Sequence, residues 1–175
     1  MKTYIVLLKG INVGGHKKVL MADLRELLTK EGFEDVKTYI QSGNVILKTK
    51  ETDVHILENY IQEAIKAQFG FDVSVLIKSR DQLLAIFNRS PFRQPNKEKS
   101  YFFMLHDKPS KELVDVASEK SYDDEEYHII EDCIYYFSEK GMGKAKFNVN
   151  FFERKLNTFA TARNYNTMVK LLSLS

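Results

Sequence analysis

The sequence holds a single cysteine, Cys133, among its 175 residues. No internal disulfide can form, which removes the framework that staples small secreted domains and makes the cytoplasm the expected compartment. Long apolar runs are equally scarce. The run Tyr4 to Leu8 is stopped by Lys9, short of the roughly seven apolar residues a secretion signal needs. No segment approaches the roughly 18 to 20 apolar residues of a membrane span, so no membrane partner is expected. Proline occurs three times, and two of these, Pro91 and Pro95, fall between Ser90 and Ser100. Neither sign of charge dominates, since 26 Lys and Arg face 24 Asp and Glu. What remains is an ordinary globular composition, 43% hydrophobic and 29% charged, on a chain long enough for one domain or two small lobes.

Charge is nevertheless uneven along the chain. Residues 1–50 carry nine basic against five acidic side chains, and residues 139–175 carry seven against two. Between them, residues 107–132 carry three basic against ten acidic, including Asp123-Asp124-Glu125-Glu126. Solvated loops account for such a run, and complementarity between segments is as consistent with it as an anionic partner.

Periodicity gives an α+β fold. Tyr4 to Leu8 reads as a central strand ending at Gly10, and Leu20, Leu24, Leu27 and Leu28 recur at helical spacing before Gly32. Residues 36–41 and 45–49 flank Ser42-Gly43-Asn44 as a hairpin. Val54, Leu57, Ile61, Ile65 and Phe69 mark a second helix with Asp53 or Thr52 as cap, and Val73, Val75 and Ile77 alternate on a strand. The resulting βαββαβ order predicts a ferredoxin-like first half. A short helix over 79–90 follows. The proline-bearing stretch 91–100 is the expected connection between a half at 1–90 and a second at 101–175. In the second half, strands at 101–106, 127–130 and 134–137 and helices at 110–118, 151–157 and 162–174 give a related but incomplete βαββα, without a closing strand. Duplication would account for the shared order.

Three polar segments carry the candidate chemistry. Lys9-Gly10-Ile11-Asn12-Val13-Gly14-Gly15-His16-Lys17 joins the first strand to the first helix, a position where backbone N–H groups hold anions. Gly10 and Gly15 have P-loop separation, but His16 and Lys17 stand where that motif requires Lys and then Ser or Thr, and a following antiparallel hairpin excludes its architecture. Gln41, Ser42 and Asn44 occupy the hairpin tip, where turn chemistry is the simpler reading. Thr161, Arg163 and Asn164 lie at or just before the last helix, with Thr161 as its expected cap and Arg163 suited to grip an oxyanion. Gly141 to Lys146 is a flexible basic loop whose simplest reading is a linker, with a lid or a nucleic-acid contact as the alternatives. His16, His55, His106 and His128 are too dispersed for a metal set, Cys133 sits in an apolar strand, and no nucleophile elbow or dinucleotide fingerprint is present. No cofactor and no metal are expected.

Tyr4 to His16, Met21-Ala22-Asp23-Leu24, Tyr39 to Val45 and Ala160 to Thr167 together resemble the bacterial family catalogued as domain of unknown function 1697. Ala162 and Tyr165 stand where threonine and tryptophan are common in its C-terminal motif. The resemblance implies a bacterial cytosolic α+β protein and brings no activity or catalytic residues. Three functions follow as expectations. The first is binding of a small anionic molecule by Lys9, Asn12, Gly14, Gly15, His16, Lys17, Gln41, Ser42, Asn44, Thr161, Arg163 and Asn164, with or without catalysis on a phosphorylated or carboxylated metabolite. The second is nucleic-acid binding by the basic ends, and the third is homodimerisation or partner binding.

Overall fold

The computed structural model describes residues 1–175 and has the expected α+β architecture, with two four-stranded antiparallel sheets and six α-helices. No helix is long and apolar enough to cross a membrane. The chain divides into two compact units, Met1–Leu83 with Lys170–Ser175, and Leu84–Val169.

The first unit runs β1 (Lys2–Leu8), α1 (Met21–Lys30), β2 (Glu34–Tyr39), β3 (Asn44–Thr49), α2 (Val54–Phe69) and β4 (Val75–Ser79), in the sheet order β2-β3-β1-β4. Helix α3 (Arg80–Asn88) follows. Strand β1 is central, which explains its unbroken apolar run. Tyr4, Val6 and Leu8 join Leu24, Leu28, Leu57, Ile61 and Ile65 in one core, while Ile5 and Leu7 on the opposite face are also fully buried. Helix α2 starts where Asp53 accepts from the N–H groups of His55 and Ile56, and it stops at Gly70 in the left-handed conformation.

The second unit runs β5 (Tyr101–Leu105), α4 (Lys111–Ala117), β6 (Glu125–Ile130), β7 (Cys133–Ser138), α5 (Val149–Leu156) and β8 (Ala160–Asn164), in the order β6-β7-β5-β8, before α6 (Tyr165–Leu174). Strand order and connectivity therefore match those of the first unit. The expectation of an incomplete second half is corrected by β8, which pairs antiparallel with β5 from Leu105↔Ala160 to Tyr101↔Asn164. Ala160-Thr161-Ala162-Arg163-Asn164 carries one β-branched residue and no aromatic one, so propensity did not disclose it; pairing along the length of β5 holds it. The β2–β3 hairpin also differs. Tyr39 pairs with Asn44, so the loop is Ile40 to Gly43 and Asn44 opens β3 instead of completing the turn.

Candidate functional site

The segment after β1 is a loop closed on itself. The Asn12 N–H donates to the Lys17 carbonyl at 3.1 Å and the His16 N–H to the Val13 carbonyl at 3.0 Å. Gly10, Asn12, Gly14, Gly15 and Lys17 all have positive φ, so the curl demands the residue types that tolerate the left-handed region at four of these five positions. Lys17 adopts it without being such a residue.

Asn12 fixes this loop to its neighbours. Its Oδ1 accepts the Val19 N–H at 2.9 Å, and its Nδ2 donates to the carbonyls of Val19 at 2.9 Å and Gln41 at 2.8 Å. The loop and the hairpin tip are thus in direct contact. A further tie is backbone, from the Leu8 N–H to the Gly43 carbonyl at 2.8 Å. At the tip, Asn44 is fully buried and its Nδ2 donates to the Tyr39 carbonyl and the Ser42 hydroxyl, both at 2.9 Å. Gly43 is required there twice over, because φ is +81° and an added Cβ would lie 2.7 Å from Leu8 Cβ. Asn12, Ser42 and Asn44 therefore hold the shape of the site with their own side chains. Lys9, half-buried, and the exposed Gly14, Gly15, His16, Lys17 and Gln41 present its surface.

Lys9, Gly10 and Lys17 line a depression of about 380 Å³ with Gln62, Glu63, Asp72 and Ser74. Its floor is backbone, since the Lys9 N–H donates to the Ser74 carbonyl at 3.0 Å, and the Lys17 ammonium donates to the Asp72 carbonyl at 2.6 Å. The Asp72 carboxylate is engaged by Lys66 at 3.0 Å, and that hydrogen bond, with its charge attraction, raises the Lys66 pKa above the ordinary lysine value. Nothing near an added Cβ on Gly10 lies within 4 Å, so the mouth is open there. The α2 contribution escaped the sequence reading, although the polar stripe Gln62, Glu63 and Lys66 beside the terminating Gly70 marks that face of the helix.

Thr161, Arg163 and Asn164 belong to the second unit. Thr161 does not cap the last helix as expected, because it lies inside β8; the Asn164 Oδ1 accepts the Thr167 N–H at 2.9 Å and caps α6 instead. Arg163 is buried and donates to the Thr161 hydroxyl at 2.9 Å and the Ala162 carbonyl at 2.7 Å. Burial pushes its pKa down to about 10, which is a cost of keeping a guanidinium out of water. Cys133 is buried in β7.

No functionally curated protein matches the sequence. Among solved structures, the chain is similar to the conserved bacterial protein SP0830 from Streptococcus pneumoniae, at 27% identity and a TM-score of 0.76 over 98% of this chain and 97% of that one. Residues 1–135, which include the 9–19 loop, the hairpin tip and every residue lining the depression, match one family throughout, and the chain belongs to it: protein of unknown function DUF1697.

Proposed function

We propose that the first unit binds a small anionic metabolite, phosphorylated or carboxylated, in the depression beside the 9–19 loop. The observation that carries this reading is the presence of Lys9 and Lys17 on one depression whose two carboxylates, Asp72 and Glu63, both act on Lys66. The anion sits between the two ammonium groups. Ser74 and Gln62 orient its remaining polar atoms, and Gly10 lets it approach the backbone closely. Gly14, Gly15 and His16 form the outer lip. Asn12, Ser42 and Asn44 keep the lip in place without touching ligand, and Gln41 offers its side chain at the rim. Thr161, Arg163 and Asn164 serve β8 and α6 in the second unit. A bacterial cytosolic setting suits this reading, since the lone cysteine asks for no oxidising compartment.

Titration calorimetry with inorganic phosphate, followed by a panel of phosphorylated and carboxylated metabolites, tests the reading. Wild-type protein is expected to bind, and Lys17→Ala and Lys9→Ala each to weaken binding about ten-fold or more, as losing a charge-assisted hydrogen bond does. Affinity left unchanged in both variants sinks it.

A further inference from the structure

A second depression lies within the second unit, between the α4–β6 connection and the start of α5. It has a volume of about 430 Å³, inside the range of about 300–1,000 Å³ typical of small-molecule sites. Lys120, Tyr122, Lys146, Asn148, Phe151 and Arg154 line it.

Two features set this place apart. The first is unpaired positive charge. Several lysines elsewhere on the surface have a carboxylate, as Lys30 has Glu26, Lys48 has Asp35, Lys108 has Glu131 and Lys140 has Asp124. Lys120, Lys146 and Arg154 have no ion-pair partner, although Asp123 lies on the same rim. The neighbouring acids are used: Asp124 holds Lys140 at 2.7 Å, and Glu125 accepts the backbone N–H groups of Lys146 at 2.6 Å and Phe147 at 2.9 Å. Glu125 thereby fixes the segment before α5 that presents Lys146, using backbone hydrogen bonds and no ion pair to its side chain.

The second feature is aromatic. Tyr122 and Phe151 are only half-buried, and each ring is braced from behind. Tyr122 meets Tyr127 and Phe147 at 6.0 and 5.9 Å between centroids, and Phe151 meets Phe152 edge to face at 5.1 Å. The open side of each carries a cation, with the Lys120 ammonium 5.5 Å from the Tyr122 centroid and that of Lys155 5.9 Å from Phe151. Flexible lysines over rigid rings are displaced readily by a flat ring, and the released ammonium groups are then available to phosphate.

From this geometry we infer that the second unit binds a nucleotide unit, with its phosphate on Lys146, Arg154 and Lys120 and its base stacked on Phe151 or Tyr122. Free nucleotides and single-stranded nucleic acid share that chemistry. The site is separate from the depression in the first unit, so either one can fail alone.

Fluorescence anisotropy of a labelled single-stranded oligouridylate of about twelve nucleotides, with ATP in a parallel arm, tests the assignment on the full chain. With three phosphate contacts the affinity for the oligonucleotide falls about twenty-fold between roughly 50 and 200 mM salt, and Lys146→Glu or Arg154→Glu flattens that slope. Phe151→Leu keeps the apolar bulk, removes the stacking face and weakens binding about ten-fold. Lys17→Ala in the first unit leaves it unchanged. ATP binding with the same sensitivities assigns free nucleotides, and oligonucleotide binding alone assigns single strands. Absence of binding in both arms overturns the inference, as does wild-type affinity in both charge-reversed variants. Displacement by polyglutamate of equal charge as effective as by unlabelled oligonucleotide overturns it too, because the rings would then contribute nothing.

Discussion

The two units share one strand order and fill it with different chemistry. The first has a mainly aliphatic core, in which Val6, Leu8, Leu24, Leu28, Leu47, Ile61, Ile65 and Val75 meet, with Tyr4 and Phe33 as its buried aromatic residues. The second is aromatic, with Phe103, Tyr136, Phe147 and Phe152 buried and Tyr122 and Tyr127 packed against them. Their loops differ as much. Twelve residues separate β1 from α1, and five separate β5 from α4, so the position that builds the depression in the first unit is a short turn in the second. There the open surface moves to the connection between α4 and β6 and to the start of α5. The two units have the same strand pairing and differ in their loops and core side chains, as expected when function resides in loops carried by a rigid sheet.

The hairpins joining the second and third strands of each unit give the sharpest contrast and the largest expected effect. In the first unit, Gly43→Ala adds a Cβ 2.7 Å from Leu8 Cβ and 3.0 Å from Ile11 Cδ1 at a φ of +81°. Overpacking and left-handed strain together predict a loss of about 2–5 kcal/mol in denaturant unfolding. The corresponding turn in the second unit, Glu131-Asp132, places Glu131 at φ +56°. Glu131→Gly relieves that strain and removes an exposed ion pair to Lys108, so its net effect is expected within about 1 kcal/mol. Equal losses in the two variants would mean that the hairpins are equivalent after all.

Asn12→Ala comes next. It deletes three hydrogen bonds and puts a Cβ-bearing residue without a local polar partner at φ +55°, at an expected cost of about 1–3 kcal/mol. Asn12→Gly removes the same hydrogen bonds but suits the backbone, so it should cost less by about 1 kcal/mol. Both should also loosen phosphate binding in the first unit and leave oligonucleotide binding in the second untouched. Hydrogen exchange at the Val19 amide reads the first effect directly, because that N–H is held by the Asn12 side chain.

Much of this was legible beforehand wherever the signal was local. The helical spacing of Val54, Leu57, Ile61 and Ile65 and the glycine after Phe69 gave α2 nearly to its ends, and Cys133 is buried as its apolar strand implied. What escaped depended on distant partners. Strand β8 has little β propensity of its own and exists through β5; Thr161 looked like a cap only while its strand was unseen. In the first site, Gly14, Gly15 and the lysines announced a loop, but nothing in the residues between Gln41 and Asn44 said that their polar groups would be spent on one another and on Asn12. The aromatic depression was hidden for the same reason. Its charges are spread over Lys120, Lys146 and Arg154, and only the fold collects them.

The smallest expected effect turns on the aromatic core itself and appears only in alkali. Tyr136 donates its hydroxyl to Glu125 Oε2 at 2.9 Å, and burial first, then that hydrogen bond, pushes its pKa up to about 12. A tyrosine raised in the folded state contributes stability that is complete below its unfolded value near 10 and is lost as pH climbs through the folded value. Tyr136→Phe should therefore be less stable than wild type by about 1 kcal/mol near neutrality, where the hydroxyl bond is intact. Between about pH 10 and 12 the gap should close, since only the wild type must then hold back an ionising phenol. Other groups that ionise in this window are present in both proteins and cancel in the difference. The aliphatic counterpart, Leu47→Val on β3, offers the comparison: its deficit should not change with pH, because the Leu47 side chain has nothing to ionise. A Tyr136→Phe deficit that stays constant across that window would break the contrast between the two cores.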